Sequence, residues 1–253
     1  MTKGGGSHPR KGAKGRDAAS GRPAGKRPSQ GKTPPKSAAK RTPRPSPGPS
    51  PEPPAPPAER FVLGAIPGAT PGKWIDLWNE RMPRTALELI PLAVPDQRRA
   101  LVEGAVDAAL VRLPLDRTDL HVIALYDEIP VVVTAADSAL TAADELDLAD
   151  LAGEVVIVPH DDVLGLEVPG AVTPAFAPPA DTAEAIATVA AGVGIVIVPM
   201  SLARLHRRKD ADYRPLRDAP TSAVALAWVA DRTTPEVEAF VGIVRGRTSN
   251  SSR

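Results

Sequence analysis

The sequence contains no cysteine among its 253 residues, and aromatic residues make up only 3% of it. The absence of cysteine excludes disulfides, thiolate catalysis and zinc sites with cysteine ligands. No run of 18 apolar residues occurs, which argues against a transmembrane helix, and the basic N-terminus lacks the apolar segment of a signal peptide. We therefore predict a cytoplasmic protein without a membrane partner.

The sequence also lacks the short motifs of common catalytic and cofactor sites. It contains no nucleophile elbow, no Walker loop, no zinc-binding helix motif and no dinucleotide fingerprint. Gly192-Val193-Gly194 departs from GxGxxG, and it precedes an apolar strand pattern, whereas the fingerprint follows a strand. We therefore expect no catalytic residue, no cofactor and no metal.

The net charge of +1 is the sum of two regions of opposite charge. Residues 1–60 contain 14 Lys and Arg against 3 Asp and Glu, whereas residues 61–253 contain 17 against 27. Residues 1–60 also hold 14 of the 30 prolines and almost no large apolar side chain, so they bury too little surface to offset chain ordering. We predict a disordered basic tail over residues 1–60, in which Pro43–Pro57 forms a semi-extended spacer.

The charge of the predicted tail indicates a nucleic-acid partner. Gly21-Arg22-Pro23 and Gly25-Lys26-Arg27-Pro28 resemble incomplete AT-hooks, whose arginine enters a narrow A·T minor groove. Ser20 and Ala24 stand where the motif has a preceding arginine, so nonspecific contact with phosphates is favoured, and a solubilising tail is the alternative. The candidate nucleic-acid-binding residues are Arg22, Lys26, Arg27, Lys40, Arg41 and Arg44.

Asp181–Leu205 has the most informative pattern of the chain. Its first part has apolar residues at helical spacing, with Asp181 and Thr182 as candidate caps. Ile195–Val198 is uninterrupted and β-branched, as is typical of a buried strand, and Pro199 ends it before a second helix pattern. Because open α/β sheets bind ligands at the carboxyl ends of their strands, this unit predicts one wall of a cleft; a purely structural packing unit is the alternative.

The first half of residues 61–247 alternates between strand and helix patterns, which predicts a βαβαβ unit with a parallel sheet. The predicted strands are Phe61–Ile66, Ala86–Ile90, Ala105–Val111, Leu120–Leu125 and Pro130–Thr134. The predicted helices are Pro71–Arg81 and Pro95–Glu103. The polar Tyr126-Asp127-Glu128 between the last two strands is a candidate crossing between two lobes.

The second half predicts a second lobe and a return to the first. Its predicted elements are a helix at Leu146–Leu151, a strand at Val155–Val158, the Asp181–Leu205 unit, strands at Tyr213–Leu216 and Ala223–Val229 that lead back, and a closing helix at Thr234–Arg245. The rest of Gly153–Ala180 is irregular and proline-rich. Lobe I is placed at about 61–128 and 218–247 and lobe II at about 129–217, with residues 248–253 as a C-terminal tail.

Several short segments occur in a fixed order along this region. They are FVLGAIPG from Phe61, Arg81-Met82-Pro83, Leu87-Glu88-Leu89, Glu103–Leu110, Ile129–Val133, Leu148–Leu151 and Val189–Pro199. Together they resemble the effector-binding (substrate-binding) domain of LysR-type transcription regulators over about residues 61–247. The resemblance implies an α/β, two-lobed type 2 periplasmic-binding-protein-like fold, preceded here by the basic tail.

The resemblance also implies an effector site between the lobes. By position, Gly68, Ala69 and Thr70 would supply backbone N–H groups and a hydroxyl at a helix N-terminus, with capping by Thr70 as the alternative. Contacts from the strand after the crossing and from the Asp181–Leu205 unit complete the set. The candidate effector-binding residues are Gly68, Ala69, Thr70, Val133, Thr134, Asp181, Thr182 and Pro199.

The chain departs from that family in three places. Residues 1–60 show no recognition-helix pattern, which leaves base readout of the family's kind unsupported. The loop Pro67–Gly72 is short, and the proline-rich Leu164–Pro179 replaces a helix expected in the second lobe. We expect these changes to reshape or close the effector pocket.

The four histidines do not form a metal site in the sequence. His160-Asp161-Asp162 is interpreted as a solvated turn, because adjacent residues rarely converge on one ion. His121 alternates with apolar residues on a strand and is interpreted as structural. His206 is grouped with its basic neighbours Arg204, Arg207, Arg208 and Lys209 on a solvated surface.

Together, the residues and the resemblance predict a non-enzymatic sensor of an unidentified small molecule, linked to transcription regulation, whose tail contacts nucleic acid nonspecifically. Because domains of this family pair, a homodimer is among the expected partners. The alternative is a nucleoid-type DNA-binding structural protein that uses the domain only for dimerisation. An enzyme is the third class, since two-lobed folds of this type also host some transferases and lyases.

Overall fold

Two separate β-sheets organise residues 60–246, the part of the chain that the computed structural model describes. The strands are β1 (Arg60–Ala65), β2 (Ala86–Pro91), β3 (Ala108–Arg112), β4 (Leu120–Glu128), β5 (Pro130–Ala135), β6 (Val196–Pro199), β7 (Ala211–Pro215) and β8 (Ser222–Val229). The helices are α1 (Gly72–Arg81), α2 (Gln97–Val102), α3 (Thr182–Ala190), α4 (Met200–Leu205) and α5 (Pro235–Val244). Short 3₁₀ turns, Leu148–Leu151 among them, join these elements.

The five-stranded sheet of lobe I has the order β2-β1-β3-β8-β4. Strand β1 pairs in parallel with β2 and β3, which is the predicted βαβαβ arrangement, and β8 runs antiparallel to both β3 and β4. Lobe II has a three-stranded antiparallel sheet in the order β6-β5-β7. The chain therefore leaves lobe I between β4 and β5 and returns with β8.

Two sequence predictions about these strands were wrong, and a third segment, predicted to lead back to lobe I, needs a closer description. Tyr126–Glu128 continues β4, since all three residues pair with β8 after a register shift. Val155–Val158 forms isolated bridges to Val172 and Ile195 instead of a strand. Strand β7 pairs with β5, so Tyr213–Leu216 lies in lobe II, within the bounds predicted for that lobe, and the return to lobe I is made by β8 alone. In each case a partner remote in sequence decides the structure, which local patterns do not reveal.

The scarce aromatic residues gather in the core of lobe I. Phe61 of β1, Trp78 of α1 and Phe240 of α5 are buried, with ring centroids 4.7 to 6.0 Å apart. The Trp78 indole N–H donates to the Thr85 carbonyl at 2.9 Å, so the one polar atom of this cluster is satisfied. This cluster fixes both helices against the same face of the sheet.

The helix of the Asp181–Leu205 unit begins as its sequence predicts. The Asp181 carboxylate accepts a hydrogen bond from the Glu184 N–H at 2.8 Å, and the Glu184 carboxylate accepts from the Ala180 N–H at 2.7 Å. Thr182 is the first helical residue and not the cap. The apolar side of α3 contributes Ala185, Ile186 and Val189 to the core of lobe II.

Replacing Asp181 by alanine removes this cap. We expect the free energy of unfolding to fall by about 1 kcal/mol, because the Glu184 N–H loses its acceptor at the helix end. Asp181→Ser retains an acceptor and is expected to lose less. Urea denaturation of the three proteins followed by circular dichroism measures the difference, and equal stability of Asp181→Ala and the parent would contradict this account of α3.

The predicted disordered tail, its Pro43–Pro57 spacer and the candidate residues Arg22, Lys26, Arg27, Lys40, Arg41 and Arg44 lie outside the described residues. The predicted C-terminal tail at 248–253 lies outside them as well. Arg60, which the prediction placed in the N-terminal tail, begins β1. Across residues 60–246, the helices all fall short of the length and apolar character that crossing a bilayer requires.

Candidate functional site between the lobes

Two adjoining cavities open between the lobes. The first, which we name the cleft, measures about 370 Å³; lobe I contributes Pro67, Val94 and Arg112 to its walls, and lobe II contributes His160, Asp161 and Leu202 among others. The second, the crevice, measures about 550 Å³ and lies between Gly68–Thr70, Tyr126–Ile129 and residues of α4. Both volumes are in the range of small-molecule sites.

Among residues 60–246, Arg112 is the one charged residue that lobe I contributes to the walls of the cleft. It ends β3, whose other four residues are apolar, and it is only 2% exposed. The side-chain amide of the buried Gln97 clamps its backbone: Gln97 Nε2 donates to the Arg112 carbonyl at 2.8 Å, and the Arg112 N–H donates to Gln97 Oε1 at 2.9 Å. The position of Arg112 is therefore set by α2 as well as by the sheet.

The Arg112 charge is balanced by a buried carboxylate. Its Nη1 donates to Glu128 Oε2 at 2.9 Å and to the Ser222 hydroxyl at 2.6 Å, and Glu128 is 8% exposed. Its Nε and Nη2 are also buried but have no hydrogen-bond partner among residues 60–246. Nη1 of the guanidinium group is thus committed to the protein, whereas the donors of Nε and Nη2 are unused within residues 60–246.

Glu128 also connects the two lobes. It ends β4 in lobe I, and its Oε2 accepts a hydrogen bond at 2.9 Å from the hydroxyl of Ser201, near the start of α4 in lobe II. The neighbouring Tyr126 responds to the same charges: burial raises the pKa of its hydroxyl, the negative charge of Glu128 raises it further, and Arg112 opposes both. Movement of α4 against lobe I would alter the hydrogen bonds to Glu128, the acceptor that Arg112 and Ser201 share.

Gly68 brings the backbone of lobe I directly against Ser201. Its φ is +85°, and a Cβ atom added there would lie 2.3 Å from the Ser201 hydroxyl oxygen. Both the backbone conformation and the approach of α4 therefore require glycine. Gly68 lies in the Pro67–Gly72 loop that the sequence analysis singled out.

Gly68→Ala is expected to lower the free energy of unfolding by about 1–2 kcal/mol, because an L side chain disfavours positive φ and also displaces Ser201. Gly72→Ala is the matched control, since an added Cβ meets nothing within 4 Å at the start of α1. Chemical denaturation of both variants measures the effect. A loss at Gly72 as large as that at Gly68 would show that the contact between the lobes has no special role.

The lobe II wall of the cleft contains the turn that was interpreted as solvated. Asp161 accepts a hydrogen bond from the Thr182 hydroxyl at 2.9 Å, and Asp162 accepts from the N–H groups of Leu164 and Gly165 at 3.1 and 2.9 Å. His160 and Asp161 are exposed, as predicted, whereas Asp162 is half-buried, and all three line the cleft together with Arg112. His206 likewise lines the cleft instead of belonging only to a basic surface.

The candidate effector residues occupy three different places. Gly68, Ala69 and Thr70 line the crevice, and Asp181 lines the cleft beside the buried Thr182. Val133, Thr134 and Pro199 are buried in β5 and β6 and line neither cavity. Capping by Thr70 was a wrong alternative, since Pro71 precedes α1 and has no side-chain cap bond.

Sequence reasoning missed the ion pair of Arg112 and Glu128. One signal was available: each is a charged residue beside a strongly apolar strand pattern, Ala108–Val111 in one case and Pro130–Thr134 in the other. A charge at the end of a buried strand needs a partner, because burial of a lone charge is costly. The sequence does not identify this partner, because the pairing depends on the position of the antiparallel strand β8 between β3 and β4.

The chain matches the family model described as the LysR substrate binding domain over residues 54–249. It is 24% identical over 205 residues to the Hca operon transcriptional activator HcaR of Escherichia coli, covering 76% of this chain and 69% of HcaR. It is 33% identical over 168 residues to the HTH-type transcriptional regulator CatR of Pseudomonas putida, covering 62% of this chain. The chain spans only 57% of the length of CatR.

Solved structures confirm the predicted fold. The BenM effector binding domain with its effector benzoate is similar with a TM-score of 0.63 at 21% identity, covering 75% of this chain and 92% of that domain. The oxidised form of OxyR is similar with a TM-score of 0.61 at 20% identity, covering 78% of this chain and 99% of the chain in that structure. Because the family model spans most of the sequence, with the two sheets and their connection inside the match, the chain belongs to the LysR substrate-binding domain family.

Proposed function

We propose that this chain is a non-enzymatic sensor in which a small-molecule effector binds in the cleft and alters how the two lobes meet. The cleft itself is the observation that carries the proposal: a space of about 370 Å³ with polar and apolar walls from both lobes. A ligand that contacts both walls binds best when the lobes are close, so it shifts the population toward that arrangement. The output is transcription regulation in the cytoplasm, because the relatives are transcriptional regulators.

The interface between the lobes supports this proposal. Ser201, Glu128 and Arg112 form one hydrogen-bonded chain from α4 to the cleft wall. Gly68–Thr70 line the crevice together with Glu128 and Ser201, which gives those candidate residues a role in how the lobes meet. Val133, Thr134 and Pro199 are buried in strands β5 and β6 of the lobe II sheet.

A thermal-shift screen of the full chain tests the sensor proposal. Small carboxylates, amino acids, phosphates and neutral metabolites are the probes, and a specific ligand is expected to raise Tm in a saturable way. Ala183→Trp, which fills the cleft from an exposed position on its wall, is expected to abolish the shift. Ala191→Trp, at the exposed opposite end of α3, is the matched control and should retain it. A panel without any saturable shift would overturn the proposal.

The proposal includes contact between the basic tail and nucleic acid. Residues 1–60 have a net charge of +11, which favours phosphate binding, and the family relatives regulate transcription. A homodimer is also part of the proposal, because two linked tails would contact one duplex together. Light scattering on the full chain checks the oligomeric state.

Replacing Arg22, Lys26, Arg27, Lys40, Arg41 and Arg44 by glutamine is expected to weaken binding to duplex DNA strongly at low salt. If all six contact phosphates, the slope of log K against log salt should decrease in magnitude by about 5. The matched control exchanges Arg for Lys and Lys for Arg at the same positions. It should bind like the parent if the contact is nonspecific, whereas loss of binding in this control would instead indicate arginine readout in a minor groove. Fluorescence anisotropy over a salt series measures both the salt dependence of the glutamine variant and the affinity of the control.

A further inference from the structure

One edge of the Arg112 guanidinium group has no hydrogen-bond partner among residues 60–246, and Arg112 is one of the residues that line the cleft. The side chain is 2% exposed, and its Nη1 is already engaged with Glu128 and Ser222. Nε and Nη2 are buried and find no acceptor within residues 60–246, although Arg112 is part of the cleft wall. Buried charged donors without acceptors are costly, so this edge is suited to an acceptor that enters the cleft.

The geometry of that edge selects for a carboxylate. Nε and Nη2 point the same way and form a planar fork that matches the two oxygens of a carboxylate. The chain uses the same pair of atoms twice elsewhere: Arg208 donates from Nε and Nη2 to Asp210 at 2.9 and 2.8 Å, and Arg217 donates from them to Asp147 at 3.0 and 2.6 Å. A ligand carboxylate on Arg112 would complete the same arrangement.

The opposite wall of the cleft selects for a positive group. Asp161, Asp162 and Asp181 all line it, and their hydrogen bonds to Thr182, Leu164, Gly165 and Glu184 all come from within lobe II. These bonds orient the carboxylates but leave their negative charge in place. Three such charges oppose a second anionic group on the ligand and attract an ammonium group.

From these two walls we propose that the cleft binds a small amino carboxylate, with its carboxylate held side-on by Arg112 and its ammonium group toward the Asp161–Asp162 turn. This inference rests on the proposed sensor function and names the ligand class of the same site. The ligand bridges the lobes, because Arg112 lies in lobe I and the turn lies in lobe II. The carboxylate and the ammonium group of the ligand therefore both favour the arrangement in which the lobes are close.

Titration of the full chain with a defined set of probes tests the ligand class. The set contains the common L-amino acids, β-alanine and 4-aminobutyrate, each paired with its carboxamide and with its deaminated acid. At least one amino carboxylate should bind by calorimetry, and both of its partners should bind roughly tenfold more weakly or worse, since each lacks one charge interaction. Whether the α- or the ω-amino compounds bind shows how far apart the two contacts lie.

Arg112→Lys tests the fork directly. Lysine retains a positive charge near Glu128 but has no side-on pair of donors, so the affinity for the bound amino carboxylate should fall roughly tenfold or more. Arg208→Lys makes the same change in an exposed Arg–Asp pair outside the cleft and should leave the affinity unchanged. Asp161→Asn, at an exposed position, is a second test that does not depend on the folding of Arg112→Lys. It should lower the affinity for the amino carboxylate several-fold and leave the affinity for its deaminated partner unchanged.

The possible failures are distinct. If phosphates or neutral compounds bind in the cleft, or if Arg112→Lys folds and binds an amino carboxylate with the parent's affinity, the ligand class is wrong while the sensor proposal stands. If a ligand of another class raises Tm in the parent but not in Ala183→Trp, the ligand class is likewise wrong and the sensor proposal likewise stands. If no compound of any class binds, both proposals fall.

Discussion

Phe240→Ala is expected to lower the free energy of unfolding by about 3–5 kcal/mol, because it removes a fully buried ring and leaves a cavity that its neighbours cannot fill. Phe240 lies 5.3 Å from Phe61 and 6.0 Å from Trp78, measured between ring centroids. Those partners come from β1 and α1, so the cavity would open where α5 meets the sheet.

Phe176→Ala is the matched control for this prediction. Phe176 is 42% exposed in the irregular segment of lobe II, and the same substitution there is expected to change stability by only about 0.5 kcal/mol or less. Urea denaturation of the full chain, followed by far-ultraviolet circular dichroism, compares the two variants. Similar losses at both positions would contradict the assignment of the lobe I core.

Removal of Glu128 is expected to have a comparable effect for an electrostatic reason. Glu128→Ala leaves the Arg112 charge buried and unpaired and takes the acceptor from Ser201, so we expect a loss of about 3–5 kcal/mol. The double variant Arg112→Met with Glu128→Leu removes both charges and should recover most of that loss. Recovery would show that the penalty comes from the uncompensated charge and not from the net strength of the pair.

The exposed pair of Arg60 and Glu88 provides the control. Its nitrogen and oxygen are also 2.9 Å apart, but the side chains are 64% and 45% exposed. Glu88→Ala is therefore expected to cost no more than about 1 kcal/mol. Denaturation curves of the single and double variants separate the two cases, and a loss at Glu88 equal to that at Glu128 would show that burial does not determine the effect.

The elements that the sequence predicted well are those with a strong local signal. The apolar spacing of α3, its Asp181 cap and the β-branched run of β6 correspond closely to the structure. Helix α5 also begins within one residue of its prediction, after the Thr234 side chain accepts from the Val237 N–H. Such signals are local, because capping and periodicity involve residues only three or four positions apart.

The sequence was least informative where a segment depends on a distant partner. Val155–Val158 has the composition of a strand but meets only single bridging residues, and β7 joins lobe II because β5 has a free edge there. The His160–Asp162 turn lies at the cleft because Thr182, 21 positions after Asp161, holds it. None of these contacts leaves a periodic pattern in the chain.

By itself, the sequence determined the α/β class, the order of most helices and strands and the resemblance to the LysR effector-binding domain, since these follow from local apolar spacing, caps and short motifs. Only the tertiary structure decided the chemistry of the cleft. Arg112 meets Glu128 16 positions away and Ser222 110 positions away, and Ser201 reaches Glu128 across 73 positions. These residues become neighbours because β8 returns between β3 and β4 and because Gly68 allows α4 to approach, so the unused edge of Arg112 exists only in the folded chain.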